Sequence, residues 1–405
     1  MLSGPAMRVA CLGGGPAGLY LAISLKLRNP AHDVVVVERN RPYDTFGWGV
    51  VLSNETLDNL DRNDPATAAA IRGAFVYWDD IAVHYRGEVM RSGGHGFSGI
   101  GRKRLLNILQ DRARELGVEL RFETEITSLA DWRDWDLIVG ADGANSRVRT
   151  ELAHIFEPQI DVRACKYIWL GTNQKFDAFT FVFEETPHGW VWAHAYQFDA
   201  DTATFIVECS EDTWRRSGFD RMDGAETVAA CERIFANYLG GHPLMTNARH
   251  LRGSGWLNFN RVLCERWSHE NVVLLGDAAA TAHFSIGSGT KLAMESAIAL
   301  AEYVDSEPDL ATALARYEAE RRVEVLKLQS AARNSVEWFE DVERYLVGLG
   351  DVAAPPVRWE LSVNSLTLSP DELATLTSAY PGAHLWVRQV GRAAMSDALL
   401  LTNLD

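Results

Sequence analysis

Cysteine is scarce in this chain and has no pattern. The 405 residues hold five, Cys11, Cys165, Cys209, Cys231 and Cys264, with no CxxC spacing among them. An odd, scattered set excludes a disulfide framework and a cysteine-rich zinc site, and it reads as reduced thiols in a cytoplasmic protein. No metal centre is expected. Long apolar runs are missing as well. No stretch approaches the ~18 uninterrupted apolar residues of a membrane span, and no charged leader with an apolar core opens the sequence, so no membrane partner is expected. Basic charge is also in short supply: 39 Lys and Arg face 55 Asp and Glu, a formal charge of −16. Phosphate backbones attract a net basic surface or stripe, so nucleic acid is not an expected partner. Any anionic ligand must be held by a local pocket.

What the chain does have is tryptophan, 13 in all. Large aromatics suit flat ligands as well as packing. The hydrophobic share of 47% and charged share of 23% match an ordinary globular protein. Met7 to Leu12 is a short apolar run ending in Gly13-Gly14-Gly15. Pro16 to Leu27 follows with helical spacing, and Val34 to Val37 is a β-branched run ending at Glu38. Strand, glycine turn, helix and strand make a βαβ unit with a parallel pair. Between Lys166 and Cys209, four strand-like runs separated by polar turns read as an inserted antiparallel sheet. Val272 to Leu275 returns to a buried strand, Gly289 to Val304 to a helix, and Leu310 to about Leu346 to a long helical stretch. The division expected is a discontinuous nucleotide-binding domain (7–80, 95–160 and 265–350), a substrate domain (81–94 and 161–264) and a tail (351–405).

Gly13, Gly15 and Gly18 form a GxGxxG that leaves a strand and opens a helix. Glycines there serve the tight turn, the approach of a pyrophosphate and helix–strand packing, with Pro16 and Ala17 in the helix's first turn. Glu38, 20 residues beyond Gly18, stands where a carboxylate accepts hydrogen bonds from a ribose, and Arg39 follows it. Gly94, Gly96 and Gly99 match the same pattern without strand–turn–helix context, so they read as a loop.

Two further motifs follow predicted strands. Gly140-Ala141-Asp142-Gly143 follows Leu137–Val139. Gly276-Asp277-Ala278-Ala279 follows Val272–Leu275, and Ser285-Ile286-Gly287-Ser288-Gly289 opens the next helix. Each Asp sits at the carboxyl end of a strand, where open α/β sheets bind ligands; either also suits a helix N-cap. Together with the fingerprint, these motifs resemble the set defining the single-component FAD-dependent aromatic hydroxylases. The resemblance implies an α/β fold: a Rossmann-like FAD domain, an inserted antiparallel-sheet substrate domain and a long C-terminal helix. It also implies Asp277 at the flavin's ribityl chain and Asp142 near both FAD and a transient NADH. Arg102, in Gly101-Arg102-Lys103-Arg104, matches the family's flavin-contacting arginine; its alternative is a solvated helix start. Gly287 and Gly289 join the cofactor set.

Phe46-Gly47-Trp48-Gly49, Lys166-Tyr167-Ile168-Trp169, Ala193-His194-Ala195-Tyr196, Thr204-Phe205-Ile206-Val207-Glu208 and His283-Phe284-Ser285-Ile286 are similar to the salicylyl-CoA 5-hydroxylases. They are also similar to the hydroxylase portion of anthraniloyl-CoA monooxygenase/reductases. The likeness runs from about Arg8 to Phe339. It implies hydroxylation of an aromatic acyl-CoA, salicylyl-CoA at C5, with O2 and a C4a-hydroperoxyflavin. A looser likeness to the late violacein-pathway monooxygenase keeps a tryptophan-derived indole as the alternative substrate. Ala280 stands where the family usually has His. The residues after Phe339 are too few for a fused reductase, and a monomer or homodimer is expected.

The catalytic candidates are His283, His194, Tyr196 and His95. His283 lies between Asp277 and the next helix, on the loop expected beside the flavin ring. Trp190, Trp192, His194, Tyr196 and Phe198 alternate onto one strand face, which either lines a substrate cleft or packs against a second layer. His95 sits in the glycine-rich loop before Arg102, and Trp48 walls the flavin or substrate or belongs to the core. Trp190-Val191-Trp192 half-matches the WxWxIP of flavin halogenases, but His194-Ala195 replaces Ile-Pro, which argues against halogenation. A non-catalytic flavin-binding protein is the competing class; acceleration of NADH oxidation by an aromatic effector separates the two. Arg91, Lys166, Arg249 and Arg252 are cations available for coenzyme A phosphates, and nothing in the sequence places them together.

Overall fold

The βαβ start forms as its pattern requires. The computed structural model describes residues 5–42, 44–45, 47–247 and 255–346, with the backbone of three later strands. Strand Arg8–Leu12 pairs in parallel with Asp33–Val37 on one side and Leu137–Gly140 on the other. Val272–Leu274 extends the parallel run beside Leu137–Gly140, and Glu119–Arg121 closes the far edge. The four inner strands are short apolar runs buried on both faces, the signature of a sheet covered by helices on both sides, whereas the edge strand Glu119–Arg121 is largely exposed. Helix Pro16–Arg28 begins with Pro at its first turn, where no N–H partner is lost, and Gly15 as its N-cap.

The second sheet has eight strands, built around Pro158–Thr172, Phe179–Thr186, Gly189–Gln197 and Ala203–Cys209. Its pairings are antiparallel except one: Phe179–Phe183 runs parallel to Ile81–Tyr85. Glu88–Ser92 hydrogen-bonds to Ile81–Tyr85 as the outer strand, although all five of its residues are exposed. A smaller sheet joins Gly49–Ser53, Phe97–Gly101 and Val76–Trp78. The second GxGxxG therefore needs correcting. Gly94 and Gly96 lie in a turn at positive φ, but Gly99 is inside the strand Phe97–Gly101 and is followed by helix Arg102–Glu115. Strand pairing on both sides of the turn overrides its polar composition. A Cβ at Gly99 would meet Gln197 O at 2.5 Å and the Trp78 ring at 2.6 Å, so packing of the two sheets requires that glycine.

Helix Leu310–Glu340 starts at Asp309, whose carboxylate accepts the Thr312 N–H at 2.8 Å. It breaks at Asp341 and resumes as Val342–Leu346. Along its length it is tied to both sheets. Tyr317 Oη donates to Leu274 O at 3.2 Å, and Gln329 Nε2 donates to Val262 O and Thr281 O at 2.8 and 2.7 Å. At its end, Phe339 packs on Trp192 and Trp338 on Phe183 of the second sheet. In the tail, Arg358–Ser362 and Ala383–Val387 both pair with Ala398–Asn403. Among the described residues, no helix is long and apolar enough to cross a membrane.

Candidate active site

The glycine turn is built by backbone approach. A Cβ on Gly13, which sits at φ +127°, would come within 2.2 Å of Ala141 O, and one on Gly18 within 2.1 Å of Gly13 O. A Cβ on Gly15 would meet nothing within 4 Å. Two of the glycines thus let chain touch chain, and the third leaves space at a helix N-terminus whose N–H groups suit a diphosphate. Glu38 accepts the Gly14 N–H at 2.9 Å and the Asn40 N–H at 2.8 Å, which holds its carboxylate at the edge of that space. Arg39 is exposed beside it.

The other two motifs converge on the same end of the parallel sheet. Gly276 takes φ +64°, and its added Cβ would stand 3.0 Å from that of Ala17, so the Asp277 turn rests on the first helix. The Asp277 side chain is solvent-exposed yet ringed by protein, and the desolvation from that surrounding raises its carboxyl above its ordinary range, against the opposing pull of Arg102 and Arg149. Burial likewise lowers the Arg102 guanidinium, with Asp277 and Tyr196 acting against it. Arg102 is therefore no solvated helix start. Its Nε donates to Thr45 Oγ1 at 3.1 Å and its backbone N–H to Trp48 O at 2.7 Å.

Asp142 has a different arrangement from Asp277. Its Oδ2 accepts the N–H groups of Arg147 and Val148 at 2.6 and 3.2 Å, and its Oδ1 accepts from Ser146 Oγ. The carboxylate thus fastens the start of the short helix Arg147–Glu151, which is the capping role. Arg149 was not singled out from the sequence. It is buried, and it donates to Ala144 O and to Ala278 O at 3.0 Å, joining the Asp142 and Asp277 motifs. Its place in the run after Asp142 was the available signal.

The donor set fits FAD. An open glycine stands at each of two helix N-termini, Gly15 and Gly289, with nothing within 4 Å of an added Cβ. Ser288 Oγ and Trp48 Nε1 are buried without a partner among the described residues. Gly287, in the left-handed region at φ +62°, turns the chain into helix Gly289–Ser306. Such unpaired donors suit the oxygens and ring edge of a dinucleotide.

Beside this lies a side-chain cluster. In the second sheet Trp192 is directly opposite Glu208, and His194 is two residues along on the same face. Trp192 Nε1 donates to Glu208 Oε2 at 2.9 Å, and His194 Nε2 lies 3.1 Å from the same oxygen. The His194 and Glu208 side chains are each only 2% exposed. With the carboxylate accepting from Nε2–H, the network assigns His194 a free lone pair on Nδ1. The rings of Phe339, Phe181 and Phe284 surround that imidazole at 4.9, 5.1 and 5.9 Å. The strand face thus packs against the helix end at Trp192 and meets the Thr281–Gly287 loop at His194. Glu208 went unnamed as a candidate, because only the strand register puts it against His194.

His283 is on that loop, buried, with Nδ1 accepting the Ser285 N–H at 3.3 Å and 2.9 Å from Ser285 Oγ. Its proton therefore belongs on Nε2. Burial, helped by His194 and Arg163, pushes its pKa down to about 3. Tyr196 donates to Gly49 O at 2.8 Å, and burial raises its phenol to about 12, so it acts as a fixed donor. His95 is not brought to this cluster. It bonds Ser92 Oγ at 3.0 Å and stacks on Phe97, which with Phe179 separates it from Tyr196. Trp48 packs against the second sheet, its ring within 2.6 Å of a Cβ added at Gly171. Of the four cations, Arg91 pairs with Asp177 and Asp80 on the surface, and Lys166 bonds Asn258. Arg249 and Arg252 lie outside the described residues, as does Phe46.

The sequence profile of the FAD binding domain matches residues 6–330. The chain belongs to this FAD-dependent hydroxylase family. Salicyloyl-CoA 5-hydroxylase of Streptomyces sp is 46% identical over 84% of the chain, and the match spans 66% of that protein's length. The 3-hydroxy-4-methyl-anthranilyl-[aryl-carrier protein] 5-monooxygenase of Streptosporangium sibiricum is 36% identical, with 82% of this chain and 89% of that one aligned. Among solved structures, the tetrameric form of 2-methyl-3-hydroxypyridine-5-carboxylic acid oxygenase superposes with a TM-score of 0.68 at 20% identity, covering 87% of this chain and 95% of its own. That likeness shows the shared α/β fold. FAD is accordingly the cofactor, and the two open glycine termini with Asp277 and Arg102 are the groups that would hold it.

Proposed function

We propose that this flavin hydroxylase is an NADH-dependent monooxygenase acting on an aromatic acyl thioester, salicyloyl-CoA at ring carbon 5, to give gentisyl-CoA. The buried His194–Glu208 pair, walled by aromatic rings beside the Thr281–Gly287 loop, carries the reading. The 46% identity to salicyloyl-CoA 5-hydroxylase supports the substrate class. Bound FAD, reduced by NADH, supplies the activation of O2, with one oxygen atom going to the ring and the other to water. The chain's residues do the rest.

A thioester withdraws electrons from the ring, whereas an ortho hydroxyl donates strongly to the carbon para to itself. On salicyloyl-CoA that carbon is C5. Taking up the phenolic proton increases the donation, and His194 Nδ1 is the acceptor available for it. Glu208 fixes the tautomer of His194 and stabilises the imidazolium that results. His283, held neutral with its proton on Nε2, donates to an oxygen of the substrate. The phenylalanines exclude water and orient the ring.

The test is oxidation of NADH by the FAD-loaded enzyme with salicyloyl-CoA, free salicylate and an indole substrate, with products identified by mass and ring position. Sharp stimulation by the thioester with hydroxylation at C5 is the expected outcome. Equal use of free salicylate, or turnover of the indole alone, overturns the assignment.

A further inference from the structure

A cavity of about 400 Å³ opens between helix Leu310–Glu340 and the strands Pro158–Thr172 and Leu257–Cys264. Its inner wall is Phe259 and His283, whose rings are 4.7 Å apart, so it begins on the loop that carries Phe284 to His194. Arg163, Arg261 and Arg333 line it together with one acid, Asp161. Three arginines on one cavity stand out in a chain of charge −16.

The three arginines are not equivalent. Arg163 is already balanced by Glu340 and by Asp161 at 2.9 Å. Arg333 pairs with Glu337 and keeps 71% of its side chain exposed. Arg261 donates to the amide oxygen of Gln329 at 3.1 Å, and no carboxylate lies within ion-pair distance of it among the described residues. Gln329 is buried and anchored to Val262 O and Thr281 O, so it holds a free guanidinium in place. Asp161 stands opposite Arg261 across the strand pair, but at no ion-pair distance, and an orientated guanidinium so placed on a cavity is an anion site of the kind phosphates use. On the helix side, Leu326 (39% exposed) and Val323 (50% exposed) continue the lining outward as an apolar strip.

Resting on the thioester reading above, we propose that this cavity is the channel for the phosphopantetheine arm of the acyl-CoA. The arm passes between Phe259 and Leu326, with the aryl thioester at His283 and the phosphates at Arg261 and Arg333. An arm attached to a carrier protein has one phosphate diester, whereas coenzyme A has a diphosphate and a 3′-phosphate. More than one cation at the mouth fits the free coenzyme.

The experiment compares kcat/KM for salicyloyl-CoA, the salicyloyl phosphopantetheine thioester, the salicyloyl N-acetylcysteamine thioester and free salicylate. It uses the FAD-loaded wild type, the double variant Arg261→Glu/Arg333→Glu and, separately, Ser330→Trp, which narrows the channel from an exposed helix position. Flavin content and melting temperature verify that each variant is folded. The wild type is expected to prefer the CoA thioester over the N-acetylcysteamine thioester, and that preference to fall about tenfold or more in both variants. Raised salt should erode it in the wild type alone. Folded variants that keep the wild-type preference overturn the channel while the thioester reading stands. A wild type that uses free salicylate as well as the thioester overturns the reading and the channel with it. Equal use of the phosphopantetheine and CoA thioesters overturns the assignment to free coenzyme A.

Discussion

The two sheets build their parts of the site from different material. At the carboxyl end of the parallel sheet the working groups are backbone: glycines that let Leu12–Gly18 lie on Ala141, and N–H groups at Gly15 and Gly289. On the antiparallel sheet they are side chains, His194, Glu208 and Trp192, set against one another by strand register and closed over by Phe339 from the long helix. A backbone-made site tolerates almost no change at a few positions. A side-chain-made site depends on a network in which each member serves another.

Substitutions that add a side chain to the turn should give the largest effect. Gly13→Val or Gly18→Val drives a Cβ into backbone oxygen at 2.2 or 2.1 Å and should cost about 3 kcal/mol or more. Purified protein should be nearly colourless, measured as flavin absorbance per chain. Gly15→Ala meets no atom and should fold normally while binding FAD about tenfold more weakly. Equal behaviour of the three variants would break the distinction between contact and cradle.

Glu208→Leu should be next. It strips Trp192 and His194 of their shared acceptor, so hydroxylation should drop about 10²-fold while flavin content is kept. Loss of flavin in parallel would show that the two regions are one unit. His283→Ala should lower hydroxylation about tenfold, again with FAD retained.

The same histidine gives a pH prediction. Its pKa falls from 6.5 in the unfolded chain to about 3 when folded, so the unfolded state binds more protons between those values. Its contribution to stability is complete above the unfolded value and is lost as pH falls towards the folded one. Melting temperature should therefore fall on acidification below about pH 6.5, and less steeply in His283→Asn. An unchanged slope in that variant would remove His283 from the account. The smallest effect is expected from Arg91→Ala on the outer strand, whose exposed pairs with Asp177 and Asp80 contribute about 0–1 kcal/mol.

Legibility in the sequence follows the same division. The parallel strands, the glycine turn and the Asp277 motif were readable, because short-range spacing alone decides them. The alternation from Trp190 to Phe198 was readable too, but not what covered it, since the alternation is the same under solvent, ligand or helix. Asp142 looked like a second Asp277, and its capping bonds to Arg147 and Val148 distinguish them. Glycines 94, 96 and 99 read as a loop because the strand after them is marked by pairing with Gly49–Ser53 rather than by composition.

The sequence by itself determined the dinucleotide-binding βαβ unit, because a strand, a glycine turn and a helix follow from local sterics, and the resemblance of its motifs to the FAD-dependent aromatic hydroxylases pointed to the kind of chemistry. Only the tertiary structure decided which acid serves which base. Glu208 reaches His194 through the register of two antiparallel strands, and Phe339 closes over it from a helix 145 positions further along the chain. The Arg261 channel exists only where that helix crosses the sheet edge. Contacts of this kind depend on long-range packing, which local spacing does not encode.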